Sequence, residues 1–269
     1  MNIVHLPGAN LTCSKFIFGT ASLFNERTKK RRIDLLEAAV DNGFTHFDTA
    51  PYYGFGMAER DLSHVLAAHP HLTVTTKVGI YSPGGEDQSS LPILLRKAAG
   101  RAISAISRPT INFDLVAARA ALASSLRRLR REHIDIYMLH EPSTELLATD
   151  EWQAWLEECV TAGKIGTFGL AGTAQQAEGF LKRAPGLTRV IQLFDSLDKK
   201  EADILRRYDK PLQITFGYVS AALSRGSRLS VKEILRQSMN RNSDGAIIVS
   251  TRRRERLAQY AELAAATSR

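Results

Sequence analysis

The sequence predicts an α/β chain closed into a (β/α)8 barrel, and three observations carry the prediction. Eight short, apolar, β-rich runs recur along the 269 residues, each followed by a stretch of helical periodicity. No Gly-x-Gly-x-x-Gly turn opens a first helix, which argues against an open, doubly wound dinucleotide-binding sheet. The polar residues that stand out fall at the C-terminal ends of different runs, where barrels place their chemistry.

In chain order the predicted strands are residues 16–19, 45–48, 72–76, 135–139, 166–170, 189–193, 212–216 and 246–249. They are apolar on both sides, as expected of a parallel sheet that is covered by helices or closed on itself. The segments between them carry helical stripes. Ile33 to Val40 form one such stripe, stopped by Gly43. Within 114–131, Leu115, Leu122, Leu126 and Leu129 share a face and arginines occupy the rest, so a solvated basic face is expected. Asp114, Thr173 and Ser230 stand where helix N-caps belong.

Residues 1–269 are read as one barrel domain, because about 250 residues is usual for this architecture and no linker divides the chain. Residues 81–113 are too many for an ordinary strand-to-helix connection, and a long loop or lid over the mouth is expected there. A second loop at 218–229 is expected to help set specificity. The chain stops soon after its last helix, so an open site is expected.

With 44% hydrophobic and 24% charged residues, the chain has the balance of an ordinary globular protein. Met1 to Asn10 lacks the basic-then-apolar pattern of a leader, and no apolar run approaches about 18 residues, so no membrane span is expected. Cys13 and Cys159 are too few and too far apart for a disulfide framework or a zinc site. A reduced, cytoplasmic protein without a metal is the expectation. Much of the net charge of +8 lies between residues 96 and 131 and at Arg252, Arg253, Arg254 and Arg256. No aromatic-interleaved basic motif or recognition helix accompanies it, so no nucleic-acid partner is expected. Oligomeric state leaves no mark in the sequence.

The chemistry concentrates at three strand ends. Phe47-Asp48-Thr49-Ala50-Pro51-Tyr52-Tyr53-Gly54 runs from a strand into a loop bearing two tyrosines. Thr76-Lys77 ends the third run, and Leu139-His140-Glu141-Pro142 ends the fourth. Singly, these are a packing tyrosine, a surface lysine and a strand-end histidine. On successive strand ends of a barrel, an Asp, a Tyr, a Lys and a His converge at one mouth. Hydride reduction of a carbonyl creates an alkoxide that needs a proton and a stabilising field. Tyrosine, with a pKa of about 10, is a reluctant acid, and a neighbouring ammonium improves it. In this reading Lys77 assists Tyr53, Asp48 keeps Lys77 charged and oriented, and a neutral His140 donates a second hydrogen bond to the carbonyl.

The chain resembles the aldo-keto reductase family over nearly its whole length. The resemblance rests on Asp48 to Gly54 with Glu59, Thr76-Lys77, Leu139 to Pro142, Gly163-Lys164-Ile165-Gly166-Thr167-Phe168-Gly169, and Gln192. It implies a TIM barrel, with Tyr53 rather than Tyr52 as general acid and Asp48, Lys77 and His140 completing the set. It also implies NADPH as cofactor and a small-molecule aldehyde, ketone or sugar as substrate. The dinucleotide would lie extended across the mouth against Gly19, Thr20, Gly172, Gln192, Ser250, Thr251, Arg252 and Arg256. There a strand runs into a helix N-terminus, whose free amides and dipole suit phosphate, and Thr251, Arg252 and Arg256 would clamp a 2′-phosphate.

The chain departs from the family pattern in the cofactor cradle. Ala171 and Gly172 stand where a Ser-Asn pair is usual, Asp195 falls where a stacking aromatic is expected, and Tyr260 replaces a common Asn. These departures leave NADH open beside NADPH. They also motivate an alternative, a catalytically weak NADPH-binding sensor or accessory protein on the same barrel.

Overall fold

The computed structural model describes residues 1–88 and 108–266, so residues 89–107 of the connection predicted at 81–113 lie outside the described residues. The chain begins with an antiparallel hairpin, β1 (Ile3–Leu6) and β2 (Leu11–Ser14), paired Ile3 to Ser14 through Leu6 to Leu11. Eight parallel strands then close on themselves: β3 (Phe16–Gly19), β4 (His46–Asp48), β5 (Thr73–Val78), β8 (Ile134–His140), β9 (Ile165–Gly172), β10 (Val190–Phe194), β11 (Ile214–Phe216) and β12 (Ala246–Val249). All eight predicted strands are present within two residues of their predicted bounds. Between β5 and β8, β6 (Ile80–Tyr81) pairs antiparallel with β7 (Thr110–Ile111), so the ends of the long connection are joined by a short ribbon.

The hairpin closes one end of the barrel. Leu6 and Cys13 from β1 and β2 join Ile17, Ile136, Met138, Val190, Ile214 and Ala246 in one apolar cluster inside the ring. Beside it the buried Lys15 ammonium donates to the carbonyls of Asn242, Ser243 and Gly245, which satisfies a charge that would otherwise be costly to bury. The opposite end is left as the mouth. A larger apolar layer, including Phe18, Phe44, Phe47, Tyr137, Trp152 and Phe168, fills the space between barrel and helices.

Helix starts follow the predicted caps. Asp114 accepts from the amides of Val116 and Ala117, Thr173 forms a reciprocal capping box with Gln176, and Ser230 accepts from Glu233. The basic face expected along 114–131 needs correction at one position. Arg128 is buried and donates through Nε to the fully buried Glu59 at 2.6 Å, while Thr76 donates to the other Glu59 oxygen at 2.6 Å. Glu59 therefore ties helix Met57–Ala68 to helix Leu115–Leu129 and to β5 directly beside Lys77. Periodicity could not reveal this, because the partner that pulls Arg128 inward is distant in sequence. Among the described residues, no helix is long and apolar enough to cross a membrane.

Candidate active site

Three strand ends and one loop bring the four predicted acid–base residues together. β4 ends on Asp48, β5 carries Lys77 one residue before its end, and β8 ends on His140. The loop after β4 is tightened by hydrogen bonds from Tyr53 N to Ala50 O at 3.0 Å and from Gly56 N to Pro51 O at 2.7 Å, which returns Tyr53 to the mouth. Lys77 Nζ donates to Asp48 Oδ1 at 2.7 Å, to the Thr49 carbonyl at 2.9 Å and to the Tyr53 hydroxyl at 3.3 Å. The Tyr53 ring stands edge-on to His140, with centroids 5.9 Å apart. Only 1% of Lys77 is exposed, so its three contacts hold an ammonium that has almost no water to solvate it.

The electrostatics follow from that burial. For Lys77, desolvation favours the neutral amine, but Asp48 and Tyr53 outweigh it and the pKa moves up. Burial raises Asp48, opposed by Lys77 and by the Gln192 side chain. Burial also raises Tyr53; Lys77 opposes the shift, while Asp48 and Glu141 add to it. His140 falls to about 3, chiefly through burial and secondarily through Lys77, so its ring is neutral at ordinary pH. At neutral pH the site therefore combines a protonated phenol, an ammonium and an uncharged imidazole.

These groups line a cavity of about 440 Å³, within the range of small-molecule sites. Of the residues expected to hold a dinucleotide, Gly19, Gly172, Gln192, Ser250 and Arg256 line it, whereas Thr20, Thr251 and Arg252 do not. Thr20 is fully buried and bonds its hydroxyl to Asp48 O at 3.0 Å, so it braces the β3–β4 strand ends. Thr251 spends its hydroxyl on the Arg253 amide at 3.0 Å just before helix Arg254–Ala266, and Arg252 is exposed beside that helix start. Ser250 donates to the Gly19 carbonyl at 2.9 Å. A Cβ on Gly19 would come within 2.7 Å of Ile248 and Ser250, so only glycine keeps this part of the wall shallow.

The pattern of departures changes in three dimensions. Asp195 is not at the mouth. It is fully buried, accepts from Arg241 Nε at 2.6 Å and Nη2 at 3.0 Å, from Tyr218 OH at 2.6 Å and from Ala202 N at 3.0 Å. Aromatic surface reaches the cavity from β11 instead, where Phe216, Gly217 and Tyr218 form the wall. Gly217 has φ +100°, and a Cβ there would meet the Phe194 ring at 2.4 Å. Residues 218–229 are also not a plain loop, since Tyr218–Ser224 is helical and presents Tyr218, Val219 and Leu223 to the cavity. Phe216 was legible in principle, as it ends a strand just as Asp48 and His140 do. Tyr260 lines the cavity beside Arg256 with its ring packed on Phe16 at 6.0 Å.

The residues present fit a dinucleotide. Gln192 Oε1 is buried without a hydrogen-bond partner, the wall at Gly19 and Gly172 is bare of side chains, and Arg256 carries no ion pair among the described residues. Among those residues, no cluster of His, Cys, Asp or Glu is placed to hold a metal.

Comparisons with known proteins bear on the fold and the family. The oxidoreductase YrpG of Bacillus subtilis is 25% identical over 211 residues, covering 74% of this chain and 60% of its own. The 6-dehydroglucose reductase of Novosphingobium aromaticivorans is 33% identical over 158 residues, covering 55% of this chain and 43% of its own. The alignments thus span about 60% or less of these curated relatives' lengths. An aldo-keto reductase from Klebsiella pneumoniae, solved in complex with NADPH, shares the fold with a TM-score of 0.69 at 18% identity, covering 98% of this chain and 89% of that one. The model of the aldo/keto reductase family matches residues 15–185, from the strand that opens the barrel to just past helix Ala174–Arg183, and the chain belongs to that family.

Proposed function

We propose that the chain reduces a carbonyl group of a small molecule to an alcohol, with NADPH as hydride donor and Tyr53 as general acid. The observation that carries this reading is the Asp48–Lys77–Tyr53 chain of contacts, set beside a neutral His140 at the wall of one cavity. When bound, the nicotinamide supplies the hydride that forms the new C–H bond at the carbonyl carbon.

The chain's own groups manage the oxygen. His140 donates a hydrogen bond to the carbonyl and orients it toward the Tyr53 hydroxyl. As the C=O π electrons move onto oxygen, the O–H bond of Tyr53 breaks and its proton passes to the alkoxide, giving the alcohol. The phenolate left behind faces Lys77 Nζ, 3.3 Å away in the resting site, so the ammonium stabilises the charge as it develops. Asp48 keeps Lys77 charged while both are out of water. Because burial holds the Tyr53 pKa above its ordinary value, the acid is fully loaded at neutral pH.

Gln192 Oε1, the free buried acceptor beside this set, suits the amide protons of the nicotinamide carboxamide. Phe216 offers a flat apolar face on the β11 side. Arg256 and the start of helix Arg254–Ala266 suit the adenosine phosphates, which favours NADPH over NADH. The chain is read as a single barrel domain acting on free small molecules.

The test is aldehyde-dependent oxidation of NADPH and NADH by the purified chain, followed at the nicotinamide absorbance across neutral aldehydes and sugars. Turnover with NADPH, and weaker turnover with NADH, is expected. Tight NADPH binding with no turnover of any aldehyde would contradict the reading and favour the sensor or accessory alternative.

A further inference from the structure

Four charged residues line the cavity: Asp48, Lys77, Glu141 and Arg256. Asp48 and Lys77 are paired with each other at 2.7 Å and cancel. Glu141 and Arg256 have no ion pair among the described residues, and they follow different strands, β8 and β12. In the ring order β10-β11-β12-β3-β4-β5-β8-β9, four steps separate β12 from β8 in either direction. Among the described residues, the cation and the carboxylate without ion-pair partners therefore follow strands on opposite sides of the ring.

The acid–base residues lie on the carboxylate's side. Asp48, Lys77 and His140 come from β4, β5 and β8, and Glu141 is the residue directly after His140. Its backbone is held in the left-handed region at φ +51°, with its amide donating to Ala171 O at 2.7 Å, which fixes the residue at the rim. The carboxylate is close enough to Tyr53 to contribute to raising its pKa. Side chains beside it on the neighbouring β9 are minimal, since Ala171 and Gly172 form that wall.

We infer that Glu141 is a specificity-determining residue that selects against carbonyl substrates bearing a negative charge near the carbonyl, in favour of neutral, hydroxylated or cationic ones. The inference rests on the reductase reading proposed above and names the substrate class of that same site. A carboxylated or phosphorylated substrate in reach of Tyr53 would meet a carboxylate that no cation pairs among the described residues, while Arg256 on the far side of the mouth lies where the cofactor's phosphates would occupy it. Neutral substrates meet no such penalty, and their hydroxyls can donate to Glu141. Because Glu141 is exposed, the effect is expected to be screened by salt.

The experiment compares kcat/KM for 4-carboxybenzaldehyde, its methyl ester and 4-(trimethylammonio)benzaldehyde with NADPH, in the unmodified chain and in Glu141→Gln. The carboxylate is expected to be used roughly 5- to 30-fold less efficiently than the ester, the range given by one like-charge contact across a partly hydrated cleft. Glu141→Gln should narrow that ratio to about 3-fold or less, and high salt should narrow it in the unmodified chain. Since each ratio is taken within one protein, a general loss of activity in the variant does not affect it. An anion-to-ester ratio that is unchanged in Glu141→Gln, or a preference for the carboxylate in the unmodified chain, overturns the inference while leaving the reductase reading intact. Absence of turnover with all three and with every other aldehyde and sugar, despite tight NADPH binding, overturns the reductase reading, and the inference falls with it.

Discussion

The two halves of the mouth are built in different ways. On the β4–β5–β8 side, function is proposed for side chains whose chemistry is fixed by one another: Asp48 on Lys77, Lys77 on Tyr53, and a neutral His140 alongside. On the β9–β12 and β3 side, the cavity is made of bare backbone at Gly19 and Gly172, an aromatic wall at Phe216 and Tyr218, one free amide oxygen on Gln192 and one guanidinium on Arg256. Proton transfer demands particular residue types at particular strand ends. Cradling a long cofactor demands shape, which many residue combinations supply. The first half is therefore expected to tolerate little change, whereas the second keeps a cavity with only Ala171 and Gly172 on its β9 wall.

Substitutions should separate the halves by size of effect. Lys77→Met is expected to lower kcat by about 100- to 10,000-fold, the usual range for disabling assisted proton transfer. It also leaves the Asp48 carboxylate buried without its cation, at a cost of about 3–5 kcal/mol in stability. The double variant Asp48→Asn, Lys77→Met removes both charges and is expected to regain stability without regaining activity. Thermal melts and steady-state rates on both proteins check this, and recovery of activity in the double variant would break the proposed division of roles.

Arg256→Ala acts on the other half and should do less. Its Kd for NADPH is expected to rise about 10-fold, the loss of one charge-assisted contact, with little change for NADH and little change in kcat at saturating cofactor. Fluorescence titration with the two cofactors measures the difference. Equal weakening of both would place Arg256 at the shared pyrophosphate rather than at a 2′-phosphate.

The contrast also explains what was legible in the sequence. Eight apolar runs with caps at Asp114, Thr173 and Ser230 were enough to locate the barrel, because parallel strands and helix starts announce themselves locally. The hairpin that closes the far end was missed, although Pro7-Gly8 is a turn signal, because its strands are only four residues each and half exposed. The acid–base set was legible because each member sits at a strand end. Counting onward from Gln192 puts Asp195 at the cofactor wall, where the structure does not place it. Its true environment depends on Arg241, which lies 46 positions away, and on a turn at Gly217 that brings Tyr218 onto its carboxylate. Arg128 likewise has the pattern of a solvated residue because Glu59 is 69 positions distant. Contacts of that range have no local signature.

The central claim is that Tyr53 delivers the proton while other residues hold the cofactor. Single-turnover mixing of aldehyde with the NADPH-loaded Tyr53→Phe variant tests it most directly. The ring and its packing against His140 are kept, and only the hydroxyl is removed. Hydride transfer is predicted to slow by about 1,000-fold, with the NADPH Kd within about 3-fold of that of the unmodified chain. An unchanged rate of NADPH oxidation in that variant would contradict the assignment of Tyr53 as the acid.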